Sequence, residues 1–182
     1  MKKYIPVLKR TKLFSGVGEE DVASLLSCLG ARKKEYKKGE YILREGEHIS
    51  DIFILVEGKI HIQKDDYWGN RSIMHTVGVG ELFGEENLAP KNSISLADVV
   101  AAQDSTVIFF HVHRIITPCP NPCRFHTAVV QNLFYSISEK NRSLVEKLGH
   151  MSRRTTREKL MTYLLEQAKH AGKSEFSIPF DR

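Results

Sequence analysis

The segment Gly78–Ala101 carries the residues best suited to bind a ligand. It reads Gly-Val-Gly-Glu-Leu-Phe-Gly-Glu-Glu-Asn-Leu and, after a polar break, Ser-Leu-Ala-Asp-Val-Val-Ala. Three glycines within seven residues allow tight turns or the close approach of a ligand, because glycine has no Cβ. Glu85 and Glu86 follow the third glycine, and an N–H-rich turn of this kind can bind an anion. The same pattern also suits a plain corner of a β-barrel.

Two other groupings could bind a metal or take part in redox chemistry. His111-Val-His113 would place two imidazoles on one face of a strand, as in the cupin enzymes, which share a similar roll. The carboxylate that a cupin-type metal site needs a few residues later is missing, because Arg114-Ile-Ile-Thr follows. Cys119 and Cys123 lie four residues apart among prolines, where they could form a redox pair. We expect no metal and inert thiols, with redox sensing as the alternative.

The composition is that of an ordinary globular protein. The chain has 182 residues, of which 41% are hydrophobic and 27% are charged, and its net charge is +5. A mildly basic balance permits a nucleic-acid partner without requiring one. Three cysteines do not make a disulfide scaffold, and the N-terminal apolar run is broken after Leu8, too early for a signal peptide. We expect a cytoplasmic protein with no membrane-spanning segment.

Glycine spacing and hydrophobic patterning predict the elements around the glycine-rich segment. Residues 13–30 have apolar residues at helical spacing, so residues 1–30 are predicted to be a helical segment. In residues 31–118, short apolar runs alternate with glycines, and Glu57-Gly58-Lys59 predicts a hairpin. The predicted strands are Glu40–Leu43, Asp51–Glu57, Lys59–Lys64, Arg71–Val77, Ser95–Val100 and Ser105–His111. This pattern predicts an α+β fold built on an antiparallel β-roll or jelly roll.

A long helix is predicted over residues 124–152, after the proline-rich stretch. Apolar residues recur there at alternating spacings of four and three, as in a coiled-coil seam that pairs two chains. The seam residues are Val130, Phe134, Ile137, Asn141, Leu144, Leu148 and Met151. The polar member, Asn141, would fix register and pairing at some cost in stability. Phe125, Val129 and Leu133 lie on an adjacent face that could cover the roll.

Three arginines, Arg153, Arg154 and Arg157, precede and open a second predicted helix, Thr155–Lys169. They could contact a DNA backbone, because phosphate contacts need only positive charge in the right place. Equally, they could hydrate the junction between the two helices. The chain ends in an extended apolar segment, Phe176–Arg182.

The order of these segments resembles the Crp/Fnr family of bacterial transcription regulators, over nearly the whole chain. The residues that carry the resemblance are Leu13-Phe14, Lys38–Gly46, Ile54–Gly58, Gly80–Glu85, Thr155–Leu160 and Leu164-Leu165. The resemblance implies a cyclic-nucleotide-binding-type roll, a long dimerising helix and a winged helix-turn-helix. Ser177–Arg182 resembles the lead-in to the helix-turn-helix. Residues 153–182 are therefore expected to be the incomplete start of a DNA-binding domain in a truncated chain.

The resemblance also implies an effector site in the roll. Gly84 and Glu85 match the pair that holds the phosphate and ribose of cyclic AMP in the family. The arginine and serine that neutralise the cyclic phosphate there fall on Ser95 and Leu96 here. A buried phosphate without its arginine loses a charge-assisted contact worth about 1.5–3 kcal/mol. This departure weighs against cyclic AMP binding in the usual mode.

A second departure lies on the long helix. The threonine and serine that contact adenine in the family fall on Leu144 and Val145 if the heptads are superposed. The site therefore looks more apolar than a nucleotide requires. The expected effector-binding residues are Gly84, Glu85, Glu86, Ser95, Leu96, Leu144 and Val145.

Three functional hypotheses follow. The first is a homodimeric transcription regulator in which a small-molecule effector, bound between roll and long helix, controls DNA binding by a C-terminal helix-turn-helix. The second is a stand-alone cyclic-nucleotide-binding module that regulates another protein. The third, a cupin-like metalloenzyme, lacks its carboxylate ligand. We therefore expect a protein that is not an enzyme and that has no obligatory cofactor.

Overall fold

The computed structural model describes residues 1–87, 93–117, 125–173 and 175–178. It divides into two compact units, Met1–Ile137 and Ser138–Arg182. The first unit contains short N-terminal helices, two β-sheets and the start of a long helix. The second unit contains the rest of that helix and one further helix.

Two short helices, α1 (Ile5–Lys9) and α2 (Glu19–Cys28), open the first unit. The first turn of α2 is acidic, which favours the N-terminus of a helix, and its apolar residues are buried. The helix predicted within residues 13–30 is confirmed for residues 19–28. The predicted start at Leu13 is wrong, because Lys12–Phe14 forms a separate 3-10 turn and Gly16 follows it with a φ of +78°.

Eight strands form two four-stranded antiparallel sheets, as the α+β roll requires. The strands are β1 (Arg32–Tyr36), β2 (Tyr41–Leu43), β3 (Asp51–Glu57), β4 (Ile60–Asp65), β5 (Arg71–Val77), β6 (Leu82–Phe83), β7 (Asp98–Ala101) and β8 (Ser105–His111). The first sheet has the order β1-β8-β3-β6, and the second has the order β2-β7-β4-β5. The predicted antiparallel roll is confirmed.

Three local predictions in the roll are wrong. The turn at Gly58 does not close a hairpin, because β3 and β4 belong to different sheets and the chain crosses between them there. The strand predicted at Ser95–Val100 begins only at Asp98. His111 and His113 do not share a strand face, because a short helix, α3 (Val112–Ile116), begins after His111. The imidazole of His111 caps it by accepting a hydrogen bond from the His113 N–H.

The first sheet separates two hydrophobic cores. Alternate residues of β3 point to opposite sides: Ile52 and Ile54 pack with the N-terminal helices, whereas Phe53 and Leu55 face the second sheet. Burial on both faces explains why β3 reads as an almost continuous apolar run. The core between the sheets holds the residues that support the glycine-rich segment.

The helix α4 (His126–Met151) begins in the first unit, where it packs on the core formed by the N-terminal helices. Val129 is fully buried and Leu133 is 4% exposed, so the adjacent face predicted to cover the roll is confirmed. Val130, predicted as the first seam residue, is half-buried against the same core. Asn132 fixes the helix further, donating from Nδ2 to the Leu13 and Ser15 carbonyl oxygens at 3.0 and 2.8 Å.

The other apolar seam residues of α4 point to solvent. The exposed fractions are 67% for Phe134, 38% for Ile137, 57% for Leu144, 63% for Leu148 and 71% for Met151. In the second unit, α5 (Thr156–Ala171) follows α4. A reciprocal capping box of Thr155 and Glu158 begins α5, and Gly172 ends it in the left-handed conformation.

Candidate functional site

The glycine-rich segment is held against the first sheet by its backbone. Gly80 donates its N–H to the Leu55 carbonyl at 2.7 Å, and Leu55 returns a bond to the Glu81 carbonyl at 3.2 Å. The Glu81 carboxylate folds back to accept the Gly78 N–H at 2.6 Å. These bonds fix a tight turn ahead of β6, so the glycines shape the backbone as their spacing predicted.

Gly84 is a position at which a side chain would not fit. Its φ is +83°, and a Cβ built on it would lie 2.5 Å from Phe53 Cδ2. Glu85 follows immediately and is only 6% exposed, whereas Glu86 is exposed. The Gly84–Glu85 pair therefore places a buried acidic residue directly after a glycine that packs against Phe53.

The second half of the site, Ser93–Ala97, pairs with the chain between β2 and β3. Ile49 donates to the Ser93 carbonyl, and Ser95 exchanges backbone bonds with Glu47 and Gly46 at 2.8–2.9 Å. Ser95 is 3% exposed, and its hydroxyl donates to the Ala97 carbonyl at 2.6 Å. The Ser95 hydroxyl therefore serves as a hydrogen-bond donor to the local backbone.

Leu96, in contrast, is 63% exposed, although it was predicted to line the effector site. Its carbonyl oxygen accepts a hydrogen bond from the Lys64 ammonium at 3.3 Å. Lys64 also pairs with Glu45 at 2.8 Å. Lys64 was not identified from the sequence, because its contacts join segments that are far apart in the chain.

His75 on β5 lies beside the same site. It is paired with Ile62 of β4, and its Nε2 lies 3.6 Å from a Glu81 carboxylate oxygen. The described parts of the site are otherwise acidic: Glu81, Glu85, Glu86 and Asp98 lie in residues 78–87 and 93–98, which contain no lysine or arginine. The Lys64 ammonium brings positive charge to these segments from β4.

The remaining predicted site residues lie elsewhere. Leu144 and Val145 belong to the second unit and are 57% and 61% exposed. Arg153, Arg154 and Arg157 are exposed in the same unit. The predicted residues of the glycine-rich segment thus belong to the first unit, and Leu144 and Val145 belong to the second.

The other chemical groupings predicted from the sequence were the two cysteines and the histidine pair. Cys119 and Cys123 lie outside the described residues. Within the residues that are described, no group of three or more His, Cys, Asp or Glu side chains has the arrangement of a metal site. In that same part of the chain, no helix is long and apolar enough to cross a membrane.

Comparison with known proteins identifies the class of domain. Residues 33–116, which span the roll from β1 to α3, match the family model of the cyclic nucleotide-binding domain. This region therefore has the fold of a cyclic nucleotide-binding domain, and the glycine-rich segment lies within it between β5 and β7.

Two curated relatives share this region. Human cGMP-dependent protein kinase 2 is 30% identical over 104 residues, which are 57% of this chain and 13% of the kinase. The Cyclic AMP receptor protein of Thermus thermophilus is 28% identical over 101 residues, which are 56% of this chain and 45% of that protein. The matched region thus spans less than half of each of these relatives.

A solved structure extends the likeness beyond the roll. The catabolite activator protein of Thermus thermophilus superposes with a TM-score of 0.66 at 23% identity. The superposition covers 78% of this chain and 63% of that one. Similarity at this level of identity shows a shared fold.

Proposed function

We propose that this chain is the effector-sensing and dimerising part of a Crp/Fnr-type transcription regulator. A small molecule bound in the roll changes the arrangement of two paired α4 helices and thereby controls DNA binding by a C-terminal helix-turn-helix. The effector acts because it binds one arrangement more tightly than the other, and DNA affinity then changes by linkage.

The observation that carries the proposal is the exposed apolar seam of α4. Phe134, Leu144, Leu148 and Met151 are each more than half exposed. They recur at heptad spacing along one continuous helix, and exposed apolar patches of this kind mark interaction surfaces. A second α4 helix offers the matching surface, because a two-fold interface is self-complementary.

The sequence match to the Thermus Cyclic AMP receptor protein supports a small-molecule effector, and the resemblance of the segment order to Crp/Fnr regulators supports a role in transcription. The three exposed arginines at the start of α5 supply positive charge where the DNA-binding part would begin. The effector would bind at Gly84, Glu85 and the neighbouring strand residues, since Gly84 and Glu85 match the nucleotide-binding pair implied by the family resemblance and lie within the matched domain.

Two measurements test the proposal together. Sedimentation velocity should give a dimer for the wild type and a monomer for Leu148→Glu, because a buried unpaired carboxylate is costly. Ser143→Glu, which adds the same charge to α4 away from the seam, should remain dimeric. In vitro selection of random duplex DNA by the full-length gene product should then enrich one sequence only when cyclic AMP or cyclic GMP is present.

A regulatory module that acts on another protein is the second candidate. The match to a cGMP-dependent protein kinase favours it, because there the similar segment belongs to a protein of another class. Binding of a cyclic nucleotide without dimerisation and without DNA enrichment would establish this second candidate and refute the first.

A further inference from the structure

We propose that Lys64 supplies the positive charge for an anionic ligand at the glycine-rich segment. The ligand class is a cyclic nucleotide, whose phosphodiester carries one negative charge. The inference rests on the proposed function only in that the roll binds a small-molecule effector.

Lys64 lies near the end of β4, where the strand leaves the core. Ile60 is fully buried and Ile62 is half-buried against the core between the sheets. The β4–β5 register shifts between Ile62 and Gln63, so the place of Lys64 is given by its contacts with Leu96 and Glu45. Ile62 pairs with His75 of β5, so a second nitrogen-bearing side chain lies beside Ile62. The apolar core thus gives way to basic groups at this end of β4.

The Lys64 ammonium is fixed at the site by the backbone. Its Nζ donates to the carbonyl oxygen of Leu96 at 3.3 Å, and Leu96 directly follows the buried Ser95. An exposed lysine is ordinarily free to rotate, and ordering it costs side-chain entropy. Here the carbonyl contact holds the charge beside the second half of the glycine-rich site.

The cation that we propose for the ligand comes from outside the described segments of the site. The described residues 78–87 and 93–98 contain four acidic side chains and no lysine or arginine. Ser95 carries no charge, and its hydroxyl already donates to Ala97. A phosphodiester beside the buried Glu85 would be repelled without a compensating cation, and charge-assisted hydrogen bonds are the strong ones.

Glu45 competes with the ligand for Lys64. Its carboxylate accepts from Nζ at 2.8 Å, and both side chains are about half exposed. An exposed ion pair of this kind is worth little, so exchange of the Glu45 carboxylate for a ligand phosphodiester is energetically cheap. Removing the Glu45 charge should therefore tighten binding, and the gain should depend on Lys64.

The test is calorimetric titration with cyclic AMP, cyclic GMP and neutral adenosine. Lys64→Met should weaken binding of the cyclic nucleotide about tenfold or more, the loss typical of one charge-assisted contact. Lys64→Arg should keep most of the affinity. Lys59→Met removes a lysine at the other end of β4 and should bind like the wild type. Adenosine binding should be the same for all four proteins.

Two further variants separate the effects of Glu45 and Lys91 on ligand binding from that of Lys64. Glu45→Gln should tighten binding of the cyclic nucleotide in the wild type and have no effect in Lys64→Met. Lys91, which lies outside the described residues, is a second lysine in the same loop of the sequence. A loss of affinity in Lys91→Met with none in Lys64→Met would assign the contact to Lys91 and overturn the proposal.

The outcomes also separate this inference from the proposed function. If the wild type binds a cyclic nucleotide and Lys64→Met binds it equally well, the Lys64 assignment is wrong and effector sensing stands. If the wild type binds neither cyclic nucleotide, the assignment fails as well, and the proposed function must rely on a different effector. Equal thermal unfolding of the variants would show that affinity changes do not come from misfolding.

Discussion

Gly84 lies against the ring of Phe53 so closely that no side chain fits between them. A Cβ on Gly84 would approach Phe53 Cδ2 to 2.5 Å, and the φ of +83° is strained for any L-residue with a side chain. Phe53 cannot move aside easily, because its ring is stacked on Phe83 and contacts Phe109 edge-on. The glycine of the ligand-binding segment is therefore also a packing requirement of the core.

Gly84→Ala should lower the free energy of unfolding by about 2–4 kcal/mol, from overpacking and backbone strain together. Gly46→Ala is the control, because Gly46 has a similar φ of +82° and no described atom within 4 Å of its built Cβ. Its free energy of unfolding should fall only by the cost of backbone strain, about 1–2 kcal/mol. Urea unfolding of both variants measures the difference, and equal losses would contradict the packing argument.

Alanine substitutions at two neighbouring residues of α4 should affect different properties, one the stability and the other the dimerisation. Leu133 is 4% exposed and Phe134 is 67% exposed. Leu133→Ala should cost about 2–5 kcal/mol of stability because it leaves a cavity in the core. Phe134→Ala should change the stability of the dilute monomer by less than about 0.5 kcal/mol and weaken dimerisation. Urea unfolding and sedimentation equilibrium would check the two effects separately.

Asn141 should control pairing specificity at the expense of stability. Asn141→Leu should strengthen association of the α4 helices and allow additional oligomers, because a polar seam residue specifies register and oligomer state. Light scattering coupled to size exclusion would detect the change. An unaltered dimer of unaltered affinity would argue that Asn141 lies outside the interface.

Thr155 should determine where α5 begins. Its hydroxyl accepts the Glu158 N–H at 3.1 Å, and the Glu158 carboxylate accepts the Thr155 N–H at 3.1 Å. Thr155→Ala should cost about 1 kcal/mol of helix stability, and Thr155→Ser should restore it. Thr156→Ala, one residue further on, should be neutral. Far-UV circular dichroism during thermal unfolding would distinguish the three variants.

Asp66 should make the tip of the β4–β5 hairpin sensitive to acid. The pKa of Asp66 is lowered because its carboxylate accepts hydrogen bonds from the Asn70 side chain and from the backbone of Asn70, Trp68 and Gly69. A lowered pKa means that this contribution is present above the usual value of about 3.9 and is lost as the pH falls through the folded-state pKa. The tip should therefore remain ordered at mildly acidic pH.

The fluorescence of Trp68, the single tryptophan of the chain, reports this transition directly. The wild type should show an acid step below a pH of about 4. Asp66→Asn should lack the step, because it removes the carboxylate that accepts the bonds from Asn70, Trp68 and Gly69, whereas Asp65 keeps its own carboxylate and its ion pair with Arg71. A step of the same midpoint in the variant would assign the titration to another group.

Local sequence signals predicted the roll but missed β1 and β6, the two edge strands of the first sheet. The strand β1 was missed because Arg32-Lys-Lys-Glu is charged and does not alternate, and pairing with β8 determines its structure. Charged residues suit this position, since β1 is an edge strand that must not pair with other chains. The strand β6 was missed because two residues between glycines carry too little pattern.

The candidate site was predictable where its residues lie close together in the sequence. Glycine spacing identified Gly84 and Glu85 because a turn needs its glycines close together. The contact of Lys64 with Leu96 joins residues 32 positions apart, and its ion pair with Glu45 joins residues 19 positions apart. No local pattern encodes such contacts, so only the folded arrangement of β4 and β7 reveals them.

The helix α4 has a buried beginning and an exposed end. If two chains pair along the exposed end, the order of its last turns depends on the protein concentration. The early turns are held by core packing at Val129 and Leu133, whereas the later turns expose their apolar side chains in a single chain. A short exposed helical stretch is only marginally stable by its own propensity. Pairing of two chains would supply the missing stabilisation, so by mass action the last turns should gain amide-exchange protection as the protein concentration rises. Effector sensing in such a protein would then depend on how much of it the cell makes.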